Sequence, residues 1–358
     1  MDSGQTVGVE EEFFLVDGAG QLVQGAPEAL EGADRTDVDL KPELLRCQVE
    51  SATEVCRTAE ELLDELTGLR ARLAEGAARG GARLVASGTV VHPQRAESLV
   101  GPGSRYHRIA EHFGWLVVRG PICGCHVHVG IADRALALRV ANHLRPWLPV
   151  LLALSANSPF VEGRDTGYAS SRHLVWSRWP SAGPPPYLDS VDQYESIMAS
   201  LLDTGAALDR KTIYWDIRPS EHQPTVEVRV ADVLLTARDA TLLAVLVRTL
   251  VRHALDELDA GRQAPRVPTE VIRAGLWRAA KDGLGGNCPD PVTGRLRPVR
   301  AIIEELIQAN TVPLKETGEL DFVLSTMDQQ GGAHRQRKAF DNGELAGVLD
   351  AITVIASP

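Results

Sequence analysis

Three consecutive glutamates stand in an apolar stretch near the start of the sequence, where the segment VGVEEEF covers residues 7–13. Side chains alternate across a β-strand, so Glu10 and Glu12 would share one face and Glu11 would fall on the apolar face with the valines. Carboxylates this close together cannot all stay ionised unless cations lie between them. The stretch therefore predicts a site for divalent cations on one face of a strand.

The same alternation of apolar and ionisable residues recurs in four later segments. Their polar positions are Arg46, Gln48 and Glu50 in RCQVES, His126 and His128 in HVHVGI, Tyr214, Asp216 and Arg218 in IYWDIR, and Glu227 and Arg229 in VEVRV. In RCQVES the predicted apolar face is Cys47 and Val49. A half-solvated antiparallel sheet also has a polar outer face, which explains any single strand. It explains the residue types poorly, because Glu, His and Arg are metal and phosphate ligands.

The donor set favours Mg²⁺ or Mn²⁺, since it is rich in carboxylates and poor in sulfur and imidazole. A rival hypothesis is a zinc site in CGCHVH, which offers Cys123, Cys125, His126 and His128. Strand alternation places the two thiols on the face opposite the two imidazoles. That arrangement argues against zinc unless Gly124 forms a bulge that resets the register.

Helical segments and one hairpin must hold these strands in place. The hairpin is predicted where PSEHQPT, residues 219–225, joins two of the alternating segments. Thr58 and Glu61 have capping-box spacing and open a helix whose leucines form one stripe. Further helices are predicted over residues 133–155, with a break at Pro146 and Pro149, and over 189–205, 236–260, 269–280 and 299–308. The helix over 236–260 is apolar on most faces and is predicted to be the most buried.

The composition is that of an ordinary globular protein, with 358 residues, 44% of them hydrophobic and 24% charged. A net charge of -11 argues against a nucleic-acid partner, and no apolar run is long enough to cross a bilayer. Five cysteines are an odd and sparse set that fits reduced thiols better than a disulfide framework. Because no signal-peptide pattern precedes the first strand, we expect a cytoplasmic protein that acts on small molecules.

Six segments occur in an order that resembles the type-2 glutamate-cysteine ligases, also called carboxylate-amine ligases, of the glutamine-synthetase-like superfamily. The segments are GVEEEF, ELLRCQVES, GCHVHVG, SANSPF, YWDIRPS and PTVEVRVADV, over about residues 6–232. The resemblance implies an α+β fold, in which a curved antiparallel β-sheet has helices packed on one face and the active site on the other. It also implies one glutamine-synthetase-like catalytic domain over residues 1–358 and assembly into a homo-oligomer.

The implied reaction joins a carboxylate to an amine at the expense of ATP, with Mg²⁺ or Mn²⁺ as cofactor. ATP phosphorylates an amino-acid carboxylate, for which the γ-carboxylate of glutamate is one candidate, and an amine attacks the acyl phosphate to form an amide. Cysteine as the acceptor is the default of the family. By motif, the resemblance implies metal ligands at Glu10, Glu12, Glu43, Glu50, His126 and Glu227.

Three further residues on the alternating strands are expected to take part in catalysis. The resemblance implies that Arg229 contacts the transferring phosphoryl group, which agrees with the need for positive charge in phosphoryl transfer. Arg218, on the neighbouring strand, is expected to be a second anion contact. Asp216 would orient Arg218 or help to deprotonate the attacking amine, and a structural salt bridge is the alternative.

Further contacts are expected outside the metal-binding strands. Arg172, Asn157 and His128 are expected to bind substrate, the first two in segments that resemble substrate-side loops of the family. Arg335 and Arg337, in the basic segment GGAHRQRKAF, would reach the phosphates of ATP, although a solvated helix start is the commoner meaning of such a segment. The proline-rich segment RWPSAGPPPYL, residues 178–188, is either an active-site loop or a plain surface connection.

Two other functions stay open at this point. A phosphotransferase would phosphorylate a guanidine or a carboxylate and form no amide, and a non-catalytic relative would bind nucleotide or metal without turnover. The sequence also departs from the family pattern in QVESATEVC and IYWDIRPS, which leaves the substrate less certain than the phosphoryl chemistry.

Side-chain alternation in VGVEEEF and VEVRV places Glu11 and Glu227 on opposite faces of the predicted sheet. The two glutamates should therefore differ in their importance for activity. We expect Glu227→Gln to abolish ADP release from ATP, because it removes a charge from the metal face. Glu11→Gln, on the opposite face, should leave the chemistry nearly intact while changing stability. Equal loss of activity in two folded variants would contradict the assignment of the faces.

Overall fold

The strands with alternating polar residues lie in one sheet of the computed structural model, which describes residues 5–26, 29–30, 40–94, 99–101, 103–118 and 120–355. The strands are β1 Val7–Val16, β2 Leu40–Pro42, β3 Gln48–Ala52, β4 Arg83–Val85, β5 Gly124–Gly130, β6 Phe160–Val161, β7 Arg164–Asp165, β8 Ile217–Pro219, β9 Thr225–Asp232, β10 Asn287–Pro289 and β11 Leu296–Pro298. The main sheet has the order β2-β3-β1-β5-β9-β8, and β4 pairs with the last residues of β1. All of its pairs are antiparallel, as predicted.

The register of these strands brings the predicted ligands next to one another. The cross-strand pairs are Glu10 with His126, Glu12 with Glu50, His128 with Glu227, and Arg218 with Glu227. Residues directly opposite in an antiparallel pair have their Cβ atoms about 5 Å apart, so that their side chains interact. The sheet therefore collects on one face the charges that the sequence distributes over five segments.

Helices surround the sheet and complete a mixed α+β fold. They are α1 Ala59–Arg79, α2 Ser104–Phe113, α3 Trp115–Val118, α4 Arg134–Leu144, α5 Leu148–Ser155, α6 Ser171–Trp176, α7 Val191–Asp203, α8 Ala237–Asp259, α9 Thr269–Asp282, α10 Val299–Ala309, α11 Thr311–Glu316, α12 Leu320–Met327 and α13 Gly332–Ile352. None of the helices in the ranges described combines the length and the apolar character that a membrane span needs.

The predicted helices are confirmed, and local signals explain where they begin and end. Thr58 and Glu61 form the capping box of α1, and the four leucines of its stripe are fully buried. The predicted break is a 3₁₀ turn over residues 145–147, between α4 and α5. It contains Pro146, whose ring cannot continue the preceding helix. Pro149 lies in the first turn of α5, where its missing N–H costs nothing. α8 is buried over most of its length and packs against the apolar face of the sheet.

A second helical layer covers part of the polar face, which the alternation of the strands does not predict. Cys47 was predicted to join Val49 on the apolar face, and that prediction is wrong. The strand β3 begins at Gln48, so Cys47 precedes the alternating part and packs with Ile109 of α2 and Trp176 of α6. Residues of α3 and α6 thus line a cleft over the carboxylates, and α2 packs against them.

The predicted hairpin between residues 213 and 230 is confirmed, but its first strand is shorter than predicted. β8 begins only at Ile217, because the backbone before it pairs elsewhere. Trp215 forms a parallel bridge to Gly183, and the N–H of Asp216 donates to the Gly183 carbonyl at 2.9 Å. The alternation of side chains persists, so Asp216 still reaches the buried layer beside the polar face.

Glu11, the glutamate on the apolar face, forms a buried ion pair with Arg70 of α1. The Nη2 of Arg70 donates to Oε1 of Glu11 at 2.6 Å and its Nε donates to Oε2 at 2.9 Å. Arg70 also donates to the carbonyls of Leu234 and Leu235, at 2.9 and 3.1 Å. Glu11 has no exposed surface, so the guanidinium compensates it in place of water. The pair ties α1 to β1 and to the start of α8.

This ion pair predicts a specific pattern of stability. Arg70→Met leaves the Glu11 carboxylate buried without a partner, and we expect it to lower the free energy of unfolding by about 3–5 kcal/mol in urea denaturation. The double variant Glu11→Leu, Arg70→Met removes both charges and should recover much of that loss. Arg79→Met on the exposed end of the same helix is the control, with an expected loss of no more than about 1 kcal/mol. A double variant no more stable than Arg70→Met would refute the interpretation.

Candidate active site

Two groups of potential metal ligands lie on the polar face of the sheet. The first contains Glu10, His128 and Glu227, and the second contains Glu12, Glu43 and Glu50. Within each group one ligand atom of every residue lies within 4.8 Å of the others. Because residues i and i+2 of a strand are about 6.5 Å apart, β1 places the two groups next to each other.

The first group is organised around His128. Its Nδ1 lies 2.9 Å from the Thr225 hydroxyl, which fixes the ring and leaves Nε2 facing the carboxylates of Glu10 and Glu227, at 3.6 and 3.9 Å. That Nε2 atom is buried and has no hydrogen-bond partner. His128, expected from the sequence to bind substrate, therefore lies among the potential metal ligands.

His126 connects the two groups. Its Nδ1 lies 3.1 Å from Glu10, and its Nε2 lies 3.9 Å from Glu12. Burial and the neighbouring charge of Arg229 lower the pKa of His126, so the imidazole is held neutral, the form in which it binds metals. Its Nε2 atom is also buried without a hydrogen-bond partner.

The carboxylates of the first group stay ionised. Burial alone would raise the pKa of Glu10, but the adjacent imidazoles of His126 and His128 outweigh it and hold that pKa well below its usual range. Burial would also raise the pKa of Glu227, and the charges of Arg229 and Arg218 more than offset it. These two carboxylates are thus available as anionic ligands.

The second group carries more negative charge than its protein neighbours neutralise. Burial and the charge of Glu12 raise the pKa of Glu43 to about 7, and burial and the charge of Glu43 raise that of Glu50 well above its usual value. Glu12 accepts a hydrogen bond from the backbone N–H of Gly124 at 2.7 Å. Two carboxyl groups with raised pKa values are expected where a cation belongs between them.

The donor set fits hard divalent cations. The two groups offer five carboxylates and the imidazole of His128, and both site histidines present an unpartnered nitrogen, as metal ligands do. The zinc hypothesis gains no support, since neither Cys123 nor Cys125 belongs to a ligand group within the part of the chain described. Burial raises the pKa of both thiols well above the usual value, which keeps them protonated. The pairing of β5 with β9 does shift register, between Cys125 and Val127. Cys125 nevertheless stays on the apolar side of the sheet with the valines of β5.

The two arginines predicted for catalysis both bind Glu227. Arg229 donates to Oε1 of Glu227, and Arg218 donates from Nε to Oε2 at 3.0 Å. Arg218 is buried and also donates to the Ile213 carbonyl, so it fixes the segment before β8. Arg229 lines the cleft beside Glu12 and Glu43, and its Nε has no partner. A role for Arg218 as an anion contact stays a prediction.

Asp216 and Arg172 form a buried polar layer next to Arg229. Neither carboxylate oxygen of Asp216 has a hydrogen-bond partner, although the residue is fully buried. Burial raises the pKa of Asp216 to about 7, and the charges of Arg172, Arg229 and Arg273 offset that only in part. The salt bridge considered for Asp216 does not form with any residue in the ranges described. Arg172 packs over the ring of Trp176, and its Nε is unpaired.

Three other residues predicted for the site make contacts within the fold. The side-chain amide of Asn157 donates to the carbonyls of Ala86 and Val233, at 3.0 and 2.9 Å, and its oxygen accepts from Gln336 at 2.8 Å. The remaining two are arginines of α13, and both pair with acids: Arg335 with Asp239, and Arg337 with Asp165. Binding of substrate or ATP by these residues stays a prediction.

The aromatic wall of the cleft was not among the features predicted from the sequence. Trp176, Trp179 and Tyr214 line it together with Glu12 and Arg229. Trp179 belongs to the proline-rich segment of residues 178–188, so that segment does border the site. The three rings come from a helix, a loop and the start of the hairpin, and no periodic pattern links them. The sequence gives one indication of them. Aromatic residues are rare in this chain, yet several cluster just before and just after the proline-rich segment of residues 178–188.

Comparisons with known proteins agree with this architecture. The family model described as glutamate-cysteine ligase family 2 matches residues 6–350. A Rhodococcus jostii protein provisionally named glutamate-cysteine ligase 2-1 is 49% identical over 352 residues, which cover 97% of this chain and 95% of the relative. A Mycobacterium protein provisionally named glutamate-cysteine ligase 2-2 is 45% identical over 363 residues, with 98% of each chain covered. The crystal structure of glutamate-cysteine ligase from Francisella tularensis in complex with AMP is similar in fold, with a TM-score of 0.70 at 14% identity, covering 98% of this chain and 87% of that one.

The environment of Asp216 predicts a pH-dependent stability. Its folded-state pKa of about 7 lies above the ordinary value of 3.8, so its contribution to stability is present in acid and is lost as the pH rises through 7. Asp216→Asn stays neutral, and we expect its melting temperature relative to the unmodified protein to increase between pH 4 and pH 8. The exposed Asp64→Asn is the control. A difference for Asp216→Asn that is constant over this range would contradict the assignment.

Proposed function

Because this chain belongs to glutamate-cysteine ligase family 2, we propose that it is an ATP-dependent carboxylate-amine ligase. The observation that carries the proposal is the pair of ligand groups on the polar face of the sheet, with Arg229 beside them. Phosphoryl transfer from ATP depends mostly on positioning and on neutralisation of charge, and this face offers residues for both tasks.

The metal ligands in this proposal are Glu10, His128 and Glu227 at one subsite and Glu12, Glu43 and Glu50 at the other, with His126 between them. Mg²⁺ or Mn²⁺ held there would neutralise the phosphate oxygens of ATP and of the transferring group. The pairing of the strands holds the carboxylates of β1, β3 and β9 in register on one face of the sheet. The hydrogen bond between His128 Nδ1 and the Thr225 hydroxyl, and the one from the Gly124 N–H to Glu12, keep two of these side chains in a fixed orientation.

The proposed reaction has two steps. A carboxylate oxygen of the donor attacks the γ-phosphorus of ATP, the bond to the bridging oxygen breaks, and ADP leaves with the electron pair. The nitrogen of the acceptor amine then forms a bond to the acyl carbon, phosphate leaves with the electrons of the carbon–oxygen bond, and the nitrogen gives up a proton. Arg229 is the protein cation that borders the cleft, and it would stabilise the phosphoryl oxygens in both steps.

Asp216 is proposed to assist this reaction from the buried layer. A carboxyl group with a pKa near 7 and no internal hydrogen bond can accept a proton near neutral pH. Its backbone carbonyl accepts the N–H of Arg229 at 2.8 Å, which places Asp216 next to that arginine. Asp216 would thus take up the proton that the acceptor nitrogen gives up in the second step.

The names of the relatives supply the first substrates to test. They point to glutamate as the carboxylate donor and to cysteine as an acceptor. We further propose that the protein acts on small molecules in the cytoplasm and assembles as a homo-oligomer. The five buried cysteines, none of which forms a disulfide, support a reducing compartment.

The test is ADP release by the purified protein with ATP, Mg²⁺, glutamate and a panel of amines, with the products identified by mass spectrometry. We expect ADP release that depends on an amine, a condensed amide product, and loss of both on chelation of the metal. A phosphorylated product without an amide would indicate a phosphotransferase instead. Nucleotide binding without ADP release would indicate a non-catalytic protein.

A matched pair of variants connects this activity to the ligand groups. Glu50→Gln removes one carboxylate of the second group, and we expect the Mg²⁺ concentration for half-maximal activity to rise by about tenfold or more. The control, Glu54→Gln, changes an exposed glutamate just beyond the same strand. Equal metal dependence in the two variants would remove Glu50 from the proposed site.

A further inference from the structure

The cleft beside the second ligand group continues into a cavity of about 90 Å³. One water molecule needs about 10–15 Å³ on the same measure, so the cavity has room for a small organic group. Its charged lining residues are Glu12, Glu43 and Arg229. Its apolar lining includes Leu116, Ile122, Trp176, Trp179 and the ring of Tyr214.

The aromatic wall is preformed. The ring centroids of Trp176 and Tyr214 are 4.8 Å apart, and those of Trp179 and Tyr214 are 5.3 Å apart. Trp176 and Trp179 also pack into the buried cluster around Ile109 and Cys47, which restricts their rotamers. A rigid aromatic surface binds apolar groups at little cost in conformational entropy.

The lining combines two kinds of chemistry. Glu12 and Glu43 belong to the second ligand group, so with a metal ion bound there their charge selects neither for an ammonium group nor against a carboxylate. Arg229 lines the cavity with them and donates to Glu227. Much of the remaining lining is aromatic or aliphatic. An acceptor amine that reaches the acyl phosphate from this cavity would place its substituent against apolar side chains.

We infer that this cavity binds the acceptor of the proposed ligase, and that the preferred acceptor is an amine with an apolar or aromatic substituent rather than cysteine. The inference rests on the proposed function and specifies its second substrate. The amino group would lie beside Arg229, where the acyl phosphate forms, and the substituent would lie against Trp176, Trp179 and Tyr214. Cysteine would leave most of the apolar wall uncovered.

The experiment compares acceptors with Mg-ATP and glutamate held at saturation. The acceptors are cysteine, methylamine, 3-methylbutylamine and 2-phenylethylamine, and hydroxylamine is included as a small trap for any acyl phosphate. We expect kcat/KM for the two apolar amines to exceed that for cysteine and for methylamine by roughly tenfold or more, since one extra buried methylene changes selectivity by about that factor.

Two matched variants assign the preference to the cavity. Leu116 is half-buried, so Leu116→Trp fills the cavity with little risk to the fold. We expect it to raise KM for 2-phenylethylamine by about tenfold or more, with KM for ATP and glutamate unchanged. Leu324→Trp makes the same replacement on the exposed face of α12 and should change none of these values.

The outcomes separate this inference from the function on which it rests. Hydroxamate formation with hydroxylamine, together with cysteine as the best acceptor, would keep the ligase and overturn the inference. An increase of KM for glutamate in Leu116→Trp would also overturn it, because the cavity would then hold the donor. Absence of hydroxamate with every acceptor inactive would refute the proposed ligase with glutamate as donor, and the inference would fail with it.

Discussion

Three adjacent carboxylates on the central strand must each be compensated in a different way, and much of the structure follows from that constraint. Glu11 points into the core and is neutralised by Arg70 of α1, which is buried with it. Glu10 points to the other face, where the two histidines of β5 lie beside it and hold its pKa well below its usual range. Glu12 receives a backbone N–H from Gly124 and faces two further carboxylates. The protein thus supplies a buried counter-charge for Glu11 but leaves negative charge around Glu10 and Glu12 for ligands.

The compensation of Glu11 also sets the geometry of the site. Arg70 contacts β1 and the carbonyls that precede α8, so one guanidinium joins the central strand to the two long helices below it. A strand held in this way cannot slide by one residue, because a slip would carry Glu11 to the polar face and Glu10 into the core. The buried ion pair on the apolar face therefore fixes the register on which the ligand groups depend.

Much of this fold and site could be predicted from the sequence, because the alternation of side chains along a β-strand indicates which of them share a face. The alternation alone assigns Glu10, Glu12, His126 and Glu227 to the polar faces of their strands. The partner of Glu11 could also have been predicted from the sequence. Arg70 lies on the leucine-rich face of α1, between Leu66 and Leu73. A positive charge on the apolar face of a helix and a negative charge on the apolar face of a strand indicate a buried ion pair. Contacts between segments of no regular period were out of reach. Cys47 lies before its strand begins, Arg218 turns towards the carbonyls of its own hairpin, and the aromatic wall joins three unrelated segments.

The polar face also contains an unusual concentration of buried polar atoms without partners. His126 and His128 each leave Nε2 unpaired, both oxygens of Asp216 are unpaired, and Arg172 and Arg229 each leave Nε unpaired. Folded proteins satisfy most buried polar atoms, because each unpaired one costs stability. Such costs are tolerated where a ligand supplies the missing partners, and these six atoms belong to residues on or next to the polar face. We therefore propose that the buried layer behind the potential metal ligands, with Asp216 and Arg172, is part of the active site, even though neither residue belongs to a ligand group.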